Sequence, residues 1–254
     1  MNDQYHLAVG PHRRPGGARC AMEWVAHLAG QAHTDSPATV SPVLAAFARS
    51  WNDALPDDAR QRLRPYLART IGTAGDGHDE RRAWLCTDWL VRTCVPAMLD
   101  QAGLRDHADA LRRLDSLDAE GPLRAARGAA GRARAAARAA AALPAAISGA
   151  RHAATTVPRA TGWEAARTAV RSAPPCEPRE AAAEIACQTA RDAAWAAAWR
   201  DAPAAWSEMR PVALELQASA FDLLDRMLPG VVLAIREPAP HPKEGQSPLT
   251  ALRL

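Results

Sequence analysis

The run LRAARGAAGRARAAAR, residues 123–138, places arginine at 124, 127, 132, 134 and 138, and no carboxylate occurs between Glu120 and Glu164. Arg124, Arg127, Arg134 and Arg138 recur at helical intervals, so several guanidiniums fall on one side of a helix. Positive charge without a local counter-charge suits phosphate, whose contacts carry most sequence-independent affinity for nucleic acid. These four arginines are the candidate nucleic-acid-binding residues. The alternative is a solvated face answered by acids of a preceding helix, for instance Asp109, Asp115 and Asp118. No helix-turn-helix pattern accompanies the block, so base-specific reading has no support.

Two further constellations are of metal-ligand type. Cys20, Glu23 and His27 share a helical face, with His33 and Asp35 following in a loop. The neutral reading pairs Glu23 with Arg19 and places His27 at a helix C-terminus, where its charge is favoured. The second is the pair His78-Asp79 in GDGHDE, which invites comparison with helical phosphohydrolases of the HD type. His27 or His33 upstream and Asp88 or Asp100 downstream would complete such a set. The pair follows a glycine loop rather than an apolar helix, however, and Asp79 and Glu80 suit a helix N-terminus.

Gly72, Gly75 and Gly77 raise the question of a phosphate-cradling loop, but neither a preceding strand nor a following Gly-Lys-Ser/Thr is present. Motifs G-x-S-x-G, H-E-x-x-H and paired C-x-x-C are absent too, and no cofactor is implied. The five cysteines suit reduced thiols in a cytoplasmic protein. A net charge of +3 does not by itself call for an acidic partner. Neither a secretory leader nor a membrane span is indicated, since no run approaches about eighteen apolar residues.

Helices must position these groups. The chain is 48% apolar over 254 residues, with two Phe, two Tyr and eight Trp. Abundant alanine favours helix over strand. The expected fold is all-α: a compact N-terminal helical half, then Ala/Arg/Trp-rich helices forming an irregular bundle. Residues 1–16 read as a flexible arm and 17–120 as the N-terminal half. Its helices run from Ala18 to Leu28, from Ser41 as N-cap with Leu44, Phe47 and Trp51 inward, from Asp57 as cap, from Arg81 to a stop before Pro96, and around Leu104 to Leu114. Residues 121–178 form an Ala/Arg/Pro-rich middle of short or kinked helices. Residues 179–236 read as a helical hairpin packed on the first half, its last helix running from Pro211 with Leu214, Phe221, Leu224 and Leu228 on one side. Residues 237–254 read as a disordered tail.

In RDAAWAAAWRDAPAAW, Trp195, Trp199 and Trp206 would lie within roughly 40° of one another on a continuous helix. Alanine flanks allow close helix approach while the tryptophans supply apolar area, so the stripe reads as core, or else as a surface for a partner helix.

The segments CAMEWVAHLAG, SPVLAAFARSWNDALPDD, IGTAGDGHDERRAWLCTDWLVRTCVPAMLDQAGL and LQASAFDLLDRML resemble a family of uncharacterised Ala/Trp-rich helical proteins of actinobacteria and their phages. The likeness covers roughly the first 105 residues and about twenty near the end, and departs from the family's regular Ala-Ala-Trp repeat between Leu123 and Pro158. It implies fold and origin, with no activity to carry over. The sequence therefore reads as a non-catalytic binding protein, a regulatory or accessory factor that contacts nucleic acid through an arginine-rich helix. The alternatives are a protein-interaction scaffold with a Trp/Ala surface and an HD-like metal hydrolase.

Overall fold

The structure is a computed structural model that describes residues 6–12, 17–119, 121–141, 161–200 and 205–228. The interpretable region is 69% helical with two short strands, which makes the fold an all-α bundle. No helix among the described residues is long and apolar enough to cross a membrane.

Strand β1 (His6–Leu7) pairs in parallel with β2 (Ala18–Arg19), and α1 spans Ala21–Leu28. The expected helix from Ala18 therefore starts three residues later. Cys20 is its N-cap: its Sγ accepts from the Glu23 N–H at 3.5 Å, while Glu23 Oε2 accepts from the Cys20 N–H at 2.8 Å. Residues 6–12 are not a loose arm either. Leu7 is fully buried, its backbone is bracketed by Gln61, and Asn52 donates to the Ala8 carbonyl at 2.8 Å. The sequence pattern hid this because the anchoring partners lie some fifty residues away.

Helix α2 (Pro42–Ala54) has the expected start, with Ser41 Oγ accepting from the Leu44 N–H at 3.3 Å and Leu44, Phe47 and Trp51 completely enclosed. The third helix splits into α3 (Asp57–Gln61), capped at Pro56 rather than Asp57, and α4 (Arg64–Ala68). Pro65, lacking an N–H, suits the first turn of α4 and cannot continue α3. Helix α5 (Asp79–Trp89) passes through a π-helical turn (Leu90–Cys94) into α6 (Val95–Gln101), so the chain does not stop before Pro96. Proline deletes the bond to the carbonyl four residues back, and the widened turn absorbs the loss, with the Val95 N–H reaching the Leu90 carbonyl. Helix α7 (Arg105–Arg112) buries Ala108 and Leu111.

Helix α8 (Leu123–Ala141) runs unbroken through Gly128 and Gly131, contrary to the expected short or kinked pieces, while α9 (Trp163–Arg171) is short; the rest of that expected middle, 142–160, lies outside the described residues. Tertiary packing explains α8, because Ala126, Ala130, Ala133 and Ala137 form a buried stripe against α10 (Glu177–Arg200). Leu123 clusters with Ala182, the Thr189 hydroxyl lies 3.3 Å from the Ala130 carbonyl, and Arg134 meets Asp192. Contact positions rise together on both helices, which therefore run parallel. Only small side chains permit a hydroxyl to touch a neighbouring helix's backbone. The principal partner of α10 is thus α8, and the hairpin expected over 179–236 is not its main packing.

Helix α11 (Ala205–Met227) begins before Pro211 and buries Leu216, Ala220, Phe221, Leu224 and Met227. Leu214 is 54% exposed rather than inward, because it lies roughly 120 to 160° around the helix from Met209, Leu216, Ala220 and Met227, which face the core. Trp206 stands on α11, whereas Trp195 and Trp199 stand on α10, so the three do not share one continuous helix. Trp195 packs half-buried against the core; the side chains of Trp199 and Trp206 and the tail 237–254 lie outside the described residues.

The main core extends from Leu7 to Leu228, beside a small separate cluster of Trp84, Leu123 and Ala182. At the centre of the main core Trp51 lies 4.5 Å from Phe221 with the rings tilted by 49°, and it meets Phe47 edge-on at 5.4 Å. Phe221 also receives Tyr66 at 5.5 Å and the Arg62 guanidinium at 4.5 Å. The C-terminal helices therefore complete the N-terminal half rather than forming a unit beside it.

Candidate functional site

The buried alanine stripe of α8 fixes which way its arginines face. Arg124, Arg127, Arg132 and Arg138 are exposed, and none of them forms an ion pair among the described residues. Arg134 stands apart. It is half-buried, and its Nε lies 3.2 Å from Asp192 Oδ2 on α10. Of the four arginines singled out by spacing, three share the open face, and Arg132 joins them from the same run.

The acids that might have answered this face do not. Asp109 pairs with Arg112 at 3.1 Å, and neither Asp115 nor Asp118 forms an ion pair with α8. Other exposed arginines do have partners: Arg171 meets Glu184 at 2.8 Å and Arg191 meets Glu164 at 3.3 Å. At 1.5 Å per residue the open arginines span about 21 Å of helix. The exposed positions among them are Ala125, Gly128, Ala135 and Ala139, so among the described residues of α8 this face carries no carboxylate.

The metal-type residues are engaged otherwise. Glu23, 2% exposed, accepts from the His12 N–H at 2.5 Å and the Cys20 N–H at 2.8 Å, with His12 Nδ1 at 2.8 Å and His33 Nε2 at 3.6 Å. Burial pushes the Glu23 carboxyl up, but those N–H groups and the His12 ring outweigh it and hold it below its ordinary value. Glu23 thus fastens residues 6–12 to α1. The expected Arg19 pairing is replaced by these contacts, because Arg19 lies in β2 rather than one turn back on the helix.

The HD-type set is dispersed. His78 is exposed at the start of α5; Asp79 accepts from Ser41 and Arg82, Asp88 meets Arg92 at 3.0 Å, and Asp100 pairs with Arg112. No group of three His, Cys, Asp or Glu among the described residues is arranged to hold a metal.

Loop 72–77 is a structural knot. Gly72, Gly75 and Gly77 all have positive φ, and the Gly72 and Ala74 N–H groups are spent on the Thr39 carbonyl at 2.9 and 3.2 Å. Asp76 receives both terminal nitrogens of Arg82, at 2.7 and 2.5 Å, and the Arg82 Nε–H donates to the Met227 carbonyl at 3.0 Å. The loop therefore ties α5 to the end of α11 and presents no ring of spare N–H groups. An open groove of about 400 Å³ lies between the π turn and α11, bordered by Arg92, Thr93, Arg112, Glu215 and Ser219. Both of its arginines are already matched by Asp88 and Asp100.

Compared with protein families, with curated proteins and with solved structures, the chain finds no match.

Proposed function

We propose that this protein is a non-catalytic, cytoplasmic accessory or regulatory factor that binds nucleic acid by its phosphate backbone through the exposed face of α8. One observation carries the reading: among the described residues Arg124, Arg127, Arg132 and Arg138 are exposed and form no ion pair, on a helix that itself contains no carboxylate, whereas Arg171 and Arg191 elsewhere on the surface have acids beside them. Charge held out in this way costs self-repulsion in the free protein, and a polyanion relieves it. The contacts are of the kind that position rather than specify, so affinity is independent of sequence.

The direct test is fluorescence anisotropy with labelled oligonucleotides at low salt. The parent binds, and the variant Arg124→Gln/Arg127→Gln/Arg132→Gln/Arg138→Gln does not, while circular dichroism shows the same helix content because glutamine is nearly as good a helix former as arginine. Equal binding by both proteins overturns the reading.

A further inference from the structure

We infer that the partner of the α8 face is double-stranded DNA in the B form, entered through its major groove, in preference to single strands or duplex RNA. This rests on the arginine-face reading and adds the shape of the ligand to it. The argument comes from what stands between the arginines. On a helix advancing 100° per residue, Arg127 and Arg138 lie roughly 20° apart along one edge and Arg132 roughly 120 to 140° from them along the other, with Arg124 between the two edges at the N-terminal end. C-terminal to Arg124, Gly128, Ala135 and Ala139 fill the strip between the edges, and along that stretch nothing on it is taller than a methyl group.

Three consequences follow from this profile. A helix with a low ridge and guanidiniums on both shoulders fits a groove whose two walls are phosphate backbones; the major groove of B-DNA, about 12 Å wide, admits a helix, whereas that of A-form RNA is too deep and narrow. The face has no aromatic side chain on which unpaired bases could stack, so a single strand gains charge contacts alone. It also has no amide or carboxylate to match adenine or cytosine edges, so the base contact open to it is arginine to guanine, and the phosphates carry the rest.

Anisotropy titrations with B-DNA duplex, the matching single strand, the matching RNA duplex, heparin and polyglutamate, at one salt concentration, test the inference. The DNA duplex is expected to bind at least about 10-fold more tightly than either other nucleic acid or polyglutamate, because only it meets both shoulders. Ala135→Leu raises the ridge without changing charge or helix propensity, and is expected to weaken duplex binding about 5-fold or more while leaving heparin binding unchanged. Equal affinity for single strand, RNA duplex or polyglutamate overturns the inference and leaves the arginine face standing as a general anion surface. An Ala135→Leu protein that binds duplex like the parent overturns it as well. Failure of every nucleic acid to bind overturns both this and the reading beneath it.

Discussion

Arg134 Nε lies 3.2 Å from Asp192 Oδ2, and this contact between α8 and α10 divides the arginines of one helix into two kinds. Arg134 is committed to the fold; Arg124, Arg127, Arg132 and Arg138 are not. Arg134→Gln should therefore cost at most about 0.5 kcal/mol, as expected of a partly exposed pair, and leave DNA affinity nearly unchanged. Arg132→Gln should leave stability unchanged and reduce the salt slope of DNA binding by about 0.9. Side-by-side titrations of the two variants decide the matter, and a larger binding loss from Arg134→Gln would invert the assignment.

Gly162 precedes α9 with φ +93°, and a Cβ there would lie 2.9 Å from Ala220 Cβ and 3.5 Å from Trp51 Nε1. Both the backbone region and the space exclude a side chain. Gly162→Ala is expected to destabilise the protein by about 2–4 kcal/mol, combining left-handed strain with overpacking. A urea melt within about 0.5 kcal/mol of the parent would show that α9 and α11 do not meet here as described.

How much of this was legible beforehand varied from helix to helix. Ser41-Pro42 followed by Leu44, Phe47 and Trp51 announced α2 because cap, first-turn proline and apolar spacing all agreed. In α8 those signals vanish: Ala126 and Ala133 face inward and Ala125 and Ala135 outward, yet the residue type is the same. Hydrophobic contrast therefore could not orient the helix, and Arg134 was grouped with the open arginines although Asp192 claims it. A hint was present in the alanine spacing 126, 130, 133 and 137, which leaves Arg134 at the seam. The passage of the chain through Pro96 and the anchoring of residues 6–12 depend on a π turn and on distant partners, and neither leaves a local pattern.

Acid should unfold the protein through identifiable carboxylates. The Arg82 hydrogen bonds, set against burial, hold Asp76 below its ordinary value of 3.8, and Glu23 is also held low by the N–H groups of His12 and Cys20, which overcome its burial. A carboxyl whose folded pKa is depressed contributes fully above its unfolded value and loses that contribution as pH falls through the folded value. Stability from these groups is thus constant near neutrality and declines below about pH 4. Asp76→Asn leaves Arg82, 1% exposed, short of a charge partner and should cost about 2–3 kcal/mol at pH 7 while flattening the decline in acid. Urea melts at both pH values check this, and an unchanged midpoint at pH 7 would show that the fork does not stabilise the fold.

The cysteines should report on packing. Cys20, Cys86, Cys94 and Cys187 are buried and Cys176 is half-buried. Burial pushes the Cys20 thiol up to about 11 and Cys187 to about 12, and raises Cys86 and Cys94 as well. A thiol reagent at pH 8 should titrate Cys176 promptly in the native protein and all five after denaturation without reductant. Three or fewer after denaturation would reveal a disulfide or a tightly held metal.

The central claim, that four arginines on α8 meet phosphates, is tested most directly by the salt dependence of duplex DNA binding. With each neutralised phosphate adding about −0.9, four contacts give a log–log slope of about −3.6 for the parent, and Arg124→Gln/Arg127→Gln/Arg132→Gln/Arg138→Gln brings it close to zero. The same slope in parent and variant, or no binding by the parent at about 50 mM salt, would contradict the account.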